Sequence, residues 1–63
     1  MKYVINDKAS TSAYLQLYIQ LRKDITDGVY AFGSKLPSKR TVAAEVGVST
    51  VTVEHAYELL RDE

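Results

Sequence analysis

Lys39-Arg40-Thr41-Val42-Ala43-Ala44-Glu45-Val46-Gly47-Val48-Ser49-Thr50-Val51-Thr52-Val53-Glu54-His55-Ala56-Tyr57-Glu58 is the stretch that decides the fold. Val42, Val46, Val48, Val53 and Ala56 fall where two crossing helices must bury apolar groups. Ala43 stands where the second helix crosses closest. Gly47 opens the turn, where a positive φ costs little only for glycine. Ser49 follows as an N-cap for the second helix, because its hydroxyl can accept from a free backbone N–H. No proline interrupts either helix. This is the spacing of a helix-turn-helix, a geometry that offers one helix end to the major groove of duplex DNA.

Upstream, a helix is expected from about Thr11 to Asp27. Tyr14, Tyr18, Leu21 and Ile25 recur at intervals of four, three and four and build one apolar stripe. Leu15, Leu17 and Ile19 broaden it, which predicts partners on two sides. Gly28 is a natural residue to follow the helix end. Residues 29–37 read as a loop with Phe32 and Leu36 tucked beneath it. Pro37 ends that loop and Ser38 caps the next helix, about Lys39 to Val46. The last helix runs from Thr50 towards Arg61. Residues 1–10 form a polar lead-in with a short extended piece at Tyr3-Val4-Ile5, and 11–63 form the domain. The expected fold class is all-α as present: a three-helix helix-turn-helix core.

Sixty-three residues allow one small domain with a core near the lower limit for independent folding. Cysteine is absent, so no disulfide or thiolate metal site supplements that core. MKYVINDKAS has no apolar signal region, and no run approaches the length of a membrane span. A soluble cytoplasmic protein is the expectation. Eight basic and eight acidic residues give zero net charge, whereas nucleic-acid binders usually carry a basic patch. Distribution matters more than the total. Lys35, Lys39 and Arg40 gather around the start of the second helix, while Glu54, Glu58, Asp62 and Glu63 collect at the end.

Two cations in a first helical turn oppose the macrodipole by a few tenths of a kcal/mol. The placement becomes favourable if a phosphate sits there, met by Lys39, Arg40 and free N–H groups. Ordinary solvated charges are the competing reading. Ser49, Thr50, Val51 and Thr52 form the turn expected to reach base edges: hydroxyls for phosphate or base, and Val51 for a thymine methyl. Ser49 capping and Thr52 packing remain an equal alternative. No Arg, Asn or Gln stands in that turn, so bidentate readout of a purine is absent from it. His55, the chain's only histidine, reaches phosphate or lies on the surface. Tyr14, Tyr18 and Tyr57 belong to the buried stripe. Asp24 and Asp27 lack a third metal ligand in the pattern. A catalytic triad would need His55 with distant partners, and no glycine-rich phosphate cradle exists. The pattern is not that of an enzyme.

Tyr14-Leu15-Gln16-Leu17-Tyr18-Ile19-Gln20-Leu21-Arg22, continuing to Ile25 and Gly28, resembles the opening helix of GntR-family transcriptional regulators. Gly33-Ser34-Lys35-Leu36-Pro37-Ser38-Lys39-Arg40, with Ala43 and Gly47-Val48-Ser49, is similar to that family's loop and helix-turn-helix. The resemblance covers residues 14–62. It implies the N-terminal winged-helix domain of a bacterial repressor or activator, acting as a homodimer on a two-fold operator in double-stranded DNA. Leu17-Tyr18, Leu21-Arg22, Thr52-Val53 and Ala56-Tyr57-Glu58-Leu59-Leu60 look like the MocR branch. Its members join this domain to an aminotransferase-like domain that binds pyridoxal phosphate. The YtrA branch, with a short helical effector region, shares the Ala-Tyr feature.

By that resemblance Arg40 matches an arginine that contacts DNA from the second helix, Ser38 the helix cap, and Thr52 a threonine near the DNA backbone. The departures are informative. Thr50 stands where members often carry a DNA-contacting arginine, Glu54 where some carry another, and Thr41 replaces the glutamate that often closes a capping box with Ser38. The basic wing would begin just after Glu63, so these residues alone are expected to bind DNA weakly and to bind no cofactor. The expected DNA-binding set is Lys35, Ser38, Lys39, Arg40, Ser49, Thr50, Val51, Thr52 and His55, with a recognition helix at about 49–61. A helical protein-interaction module that has lost DNA binding is the alternative, favoured by the neutral charge and Glu54.

Overall fold

The structure, a computed structural model, describes residues 3–30 and 36–62. Three helices follow in order: α1 (Ala13–Thr26), α2 (Lys39–Val46) and α3 (Thr50–Arg61). Among the described residues there is no β-strand, and the architecture is an all-α helix-turn-helix core. Both α1 and α2 pack along α3, but their backbones do not approach each other. The expected positions of Phe32 and Lys35 lie outside the described residues.

Local chemistry sets the helix ends. α1 begins two residues later than the sequence suggests. Ser12 is extended (φ −62°, ψ 155°) and makes no side-chain cap, and the Thr11 carbonyl accepts from the Gln16 side-chain Nε2 at 2.7 Å instead of starting the helix. At the other end Gly28 takes φ 82°, Val29 N–H donates to the Asp24 carbonyl at 2.9 Å, and Gly28 N–H to Ile25 at 3.2 Å. These two bonds form a Schellman ending that satisfies carbonyls the helix leaves free. α2 ends at Gly47 (φ 84°, ψ 34°), where the Gly47 and Val48 N–H groups both donate to the Ala43 carbonyl.

Leu17, Leu21, Val42, Ala43, Val53 and Ala56 form the buried core, with Val46, Val48, Tyr57 and Leu60 packed against it. Every apolar position assigned to the two crossing helices therefore lies in or against the core. Burial of each of Leu17, Leu21, Val42 and Val53 stabilises the fold by about 2 kcal/mol. The α1 stripe differs from expectation. Ile19 is 56% exposed and Ile25 40% exposed. Ile19 lies two residues from Leu17, roughly 200° round the helix, so it cannot share the inward face. α1 does have a second partner, but through its glutamines.

That partner is the segment before it. Gln20 accepts from Val4 N–H at 3.0 Å and donates to the Val4 carbonyl at 2.8 Å. Gln16 does the same for Asn6, at 2.8 and 3.0 Å. Residues two apart on an extended chain are about 6.6 Å apart, and one helical turn of four residues rises about 6 Å. Two glutamines at i and i+4 can therefore pair with alternate peptide groups of an antiparallel strap. Tyr3 and Ile5, on the other parity, pack against the core.

Candidate nucleic-acid interface

The starts of α2 and α3 are built alike. Ser38 Oγ accepts from Thr41 N–H at 3.2 Å, and Ser49 Oγ accepts from Thr52 N–H at 3.2 Å. In each pair the two hydroxyls also bond, at 2.8 Å for Ser38–Thr41 and 3.1 Å for Ser49–Thr52. Thr41, which stands where a capping box has glutamate, bonds the Ser38 hydroxyl, whereas that glutamate would accept from the Ser38 backbone N–H. Hydrogen accounting adds a consequence. Two hydroxyl hydrogens serve one mutual bond, which leaves one O–H at each helix start able to donate outward. Capping and a contact to an external oxygen are compatible for Ser49.

Burial sorts the remaining candidates. Ser38, Lys39, Arg40 and Thr41 are exposed, as are Ser49, Thr50, Val51, Glu54 and His55; Val51 shows 56% of its surface. Thr52 is half-buried with its hydroxyl turned back to Ser49. The buried side chains, Val42 and Ala43 of α2 and Val53 and Ala56 of α3, lie on the opposite faces. Lys39 shares an open groove with Glu54, Tyr57, Glu58 and Arg61, which brings the α2 cation alongside α3. Glu54 and Glu58 are exposed on α3, so this helix presents carboxylates beyond its polar first turn.

Three contacts escape sequence reasoning. Tyr57 Oη donates to the Pro37 carbonyl at 2.5 Å and so ties α3 to the residue just before the α2 cap. Burial raises the Tyr57 phenol above the ordinary tyrosine value, which keeps this donor protonated. His55 meets the Tyr14 ring edge-to-face, with centroids 5.4 Å apart and planes at 81°. It is exposed yet oriented from α1. Tyr3 donates to Asp24 at 2.5 Å, and Asp27 pairs with Lys23 at 2.6 Å, so both carboxylates are engaged within the fold. A spacing pattern carries no signal for the Tyr57, His55 and Tyr3 contacts, because each joins residues distant in sequence, whereas the Lys23–Asp27 pair is an ordinary i, i+4 neighbour on the helix. Among the described residues no three potential metal ligands converge, and no helix is long and apolar enough to cross a membrane.

Comparison with known proteins agrees with this geometry. The profile described as "Bacterial regulatory proteins, gntR family" matches residues 13–63. The chain is 39% identical over 59 residues to the uncharacterized HTH-type transcriptional regulator YhdI of Bacillus subtilis (strain 168), a match spanning 94% of this chain and 13% of YhdI. It is 46% identical over 50 residues to the uncharacterized HTH-type transcriptional regulator YdcR of Escherichia coli (strain K12), spanning 79% of this chain and 11% of YdcR. The Uxu operon regulator of Haemophilus influenzae is 36% identical over 50 residues, 79% of this chain and 19% of that regulator. The matched segment is therefore a small fraction of each relative's length. Three helices, an αL glycine at the turn, paired serine caps and a profile match over most of its length lead to one assignment: this chain belongs to the gntR family of bacterial regulatory proteins and is a helix-turn-helix regulatory module.

Proposed function

We propose that this module is the DNA-reading domain of a GntR-type transcriptional regulator, with α3 entering the major groove. Ser49, Thr50, Val51, Thr52 and His55 then face the groove and its walls. Ser38, Lys39 and Arg40, with Lys35 from the preceding loop, meet phosphates. The observation that carries this reading is the pair of exposed, hydroxyl-capped helix starts, one bearing Lys39 and Arg40 and the other Thr50 and Val51. Free N–H groups at a helix start favour an anion, and the two adjacent cations add to that attraction. Thr50 and Val51 permit apolar contact with a thymine methyl but no bidentate purine readout, so specificity from this turn is modest.

The MocR-like branch is the finer assignment. A 59-residue match that makes up 13% of YhdI puts that regulator at about 450 residues, whereas 50 residues at 19% put the Uxu operon regulator at about 260. Relatives of the first kind have room for an aminotransferase-like effector region with pyridoxal phosphate. On this reading the whole protein is a cytoplasmic homodimer on a two-fold operator.

The test is a titration with a mixed-sequence duplex at low salt and again with salt added, followed by amide NMR. Shifts centred on Ser38–Arg40 and Ser49–His55 that fade with salt are the expected result. A dispersed spectrum that never moves, also in a longer chain that carries a wing after α3, would favour a protein-interaction role built on the carboxylates of α3.

A further inference from the structure

His55 is exposed on α3, yet its ring rests against another element. It meets the Tyr14 ring edge-to-face, with centroids 5.4 Å apart. Tyr14 is the second residue of α1 and is half-buried, so it offers the imidazole a fixed surface. An unheld surface side chain samples several staggered positions, and a T-shaped aromatic contact selects among them. Here it draws His55 towards α1, to one flank of α3. The opposite flank belongs to α2, where Glu54, Tyr57, Glu58 and Arg61 line the open groove shared with Lys39. Val51, 56% exposed, lies between the flanks, about 40° round the helix from His55 and about 60° from Glu54.

The flank decides the contact. A helix with its side chains is about 10–12 Å across and the major groove is about 12 Å wide. A helix lying there has base edges ahead of it and phosphates at both walls. On the DNA-reading proposal above, which this inference rests on, Val51 faces the bases. We propose that His55 contacts a phosphate at the wall on the α1 side, and that Tyr14 is the positioning residue that aims it there. One imidazole nitrogen carries a hydrogen in either protonation state, so an N–H donor to a phosphate oxygen is always present. Lys39 lies along the α2 flank, so the two walls are met from opposite sides of α3. His55 then adds affinity without reading sequence.

The deciding experiment joins duplex affinity to proton NMR of the chain's single histidine, on the full chain. His55→Ala should weaken binding several-fold and by a similar factor across unrelated sequences. Replacing single phosphates with neutral methylphosphonates should find a position that costs the wild type several-fold and His55→Ala nothing. Tyr14→Phe keeps a ring and should match wild type in affinity and in the His55 ring signals. Tyr14→Leu should move those signals and weaken binding, and adding it to His55→Ala should cost nothing further. Cross-relaxation between the two rings in the wild type should persist when duplex is added, a readout that needs no variant to fold. Its loss on binding would overturn the proposal, as would full affinity in Tyr14→Leu. Full affinity in His55→Ala would also overturn it while leaving the DNA reading intact, and a loss confined to one sequence would make His55 a base reader instead. A wild type that binds no duplex would sink the DNA reading and this contact together.

Discussion

Tyr30 donates its hydroxyl hydrogen to Tyr3 at 2.9 Å, because Tyr3 has already given its own to the Asp24 carboxylate. The order Tyr30 to Tyr3 to Asp24 depends on Tyr3 keeping its proton. Desolvation, then the bond to Asp24, raises its phenol above the ordinary value of 10.0. A group whose folded-state value is raised contributes stability fully below its unfolded value and loses it as pH climbs above that value. Stability is therefore expected to fall with pH above about 10, and the fall should be shallower in Tyr3→Phe. Tyr57 is shifted the same way by burial, so part of the slope should survive the substitution. Thermal melts of both proteins between pH 8 and 11 would measure this. Parallel curves would refute it.

Gly47 makes the turn through its backbone and not through lack of space. Its φ is 84°, yet a Cβ placed there would meet nothing within 4 Å. Gly47→Ala is thus expected to cost about 1 kcal/mol from the left-handed conformation alone. Gly47→Asn should cost less, since asparagine tolerates that region. Denaturant titration should rank them glycine, asparagine, alanine. Alanine matching glycine would mean the turn rearranges.

The helix-turn-helix was legible because its signals are local. A glycine with positive φ, a serine before each helix and small or branched apolar residues at fixed spacing each act within a few residues of where they stand. α2 and α3 accordingly begin and end as read. Of the strap, only an extended piece at Tyr3-Val4-Ile5 was legible, and its pairing was not. Pairing between Gln16 or Gln20 and a backbone 10 or 16 residues away has no periodic mark, and Tyr3 seeking Asp24 spans 21 positions. Ile19 failed for the opposite reason: its apolar character outweighed its angular position round α1. His55 stayed ambiguous since only the fold brings it to Tyr14.

Two valines two residues apart on α3 separate folding from recognition. Val53 is fully buried, and Val51 is 56% exposed. Val53→Ala should destabilise by about 2 kcal/mol, from lost transfer energy plus the cavity left behind. Val51→Ala should stay within about 0.5 kcal/mol of wild type. Its effect is expected on DNA, as weaker preference for sites that place a thymine methyl beneath it. Melts and competition binding with thymine-to-uracil duplexes would check both. A large stability loss at Val51 would contradict its exposure.

Both helix starts should respond alike to loss of their serine. Ser38→Ala and Ser49→Ala each remove one bond to a backbone N–H and one to a threonine hydroxyl. About 1 kcal/mol is expected from each. The sites share no partner, so the double variant should lose about the sum. Substituting threonine should restore most of it. Additivity in denaturant titration is the measurement; a strongly non-additive pair would mean the two caps are coupled through the turn.

Arg40 should move stability and binding in opposite directions. It is exposed in the first turn of α2, which contains no acidic residue to offset it. Removing a cation from a helix start relieves the unfavourable dipole interaction, so Arg40→Ala should leave the melting temperature level or slightly raised. Alanine's higher helix propensity acts in the same sense. Duplex binding should weaken nonetheless, by a similar factor across unrelated sequences, and the slope of log affinity against log salt should shallow by about one. A structural arginine would lose both together. Retained affinity with an unchanged slope would take Arg40 off the DNA-facing surface, and a loss confined to one sequence would make it a reader of bases instead of phosphate.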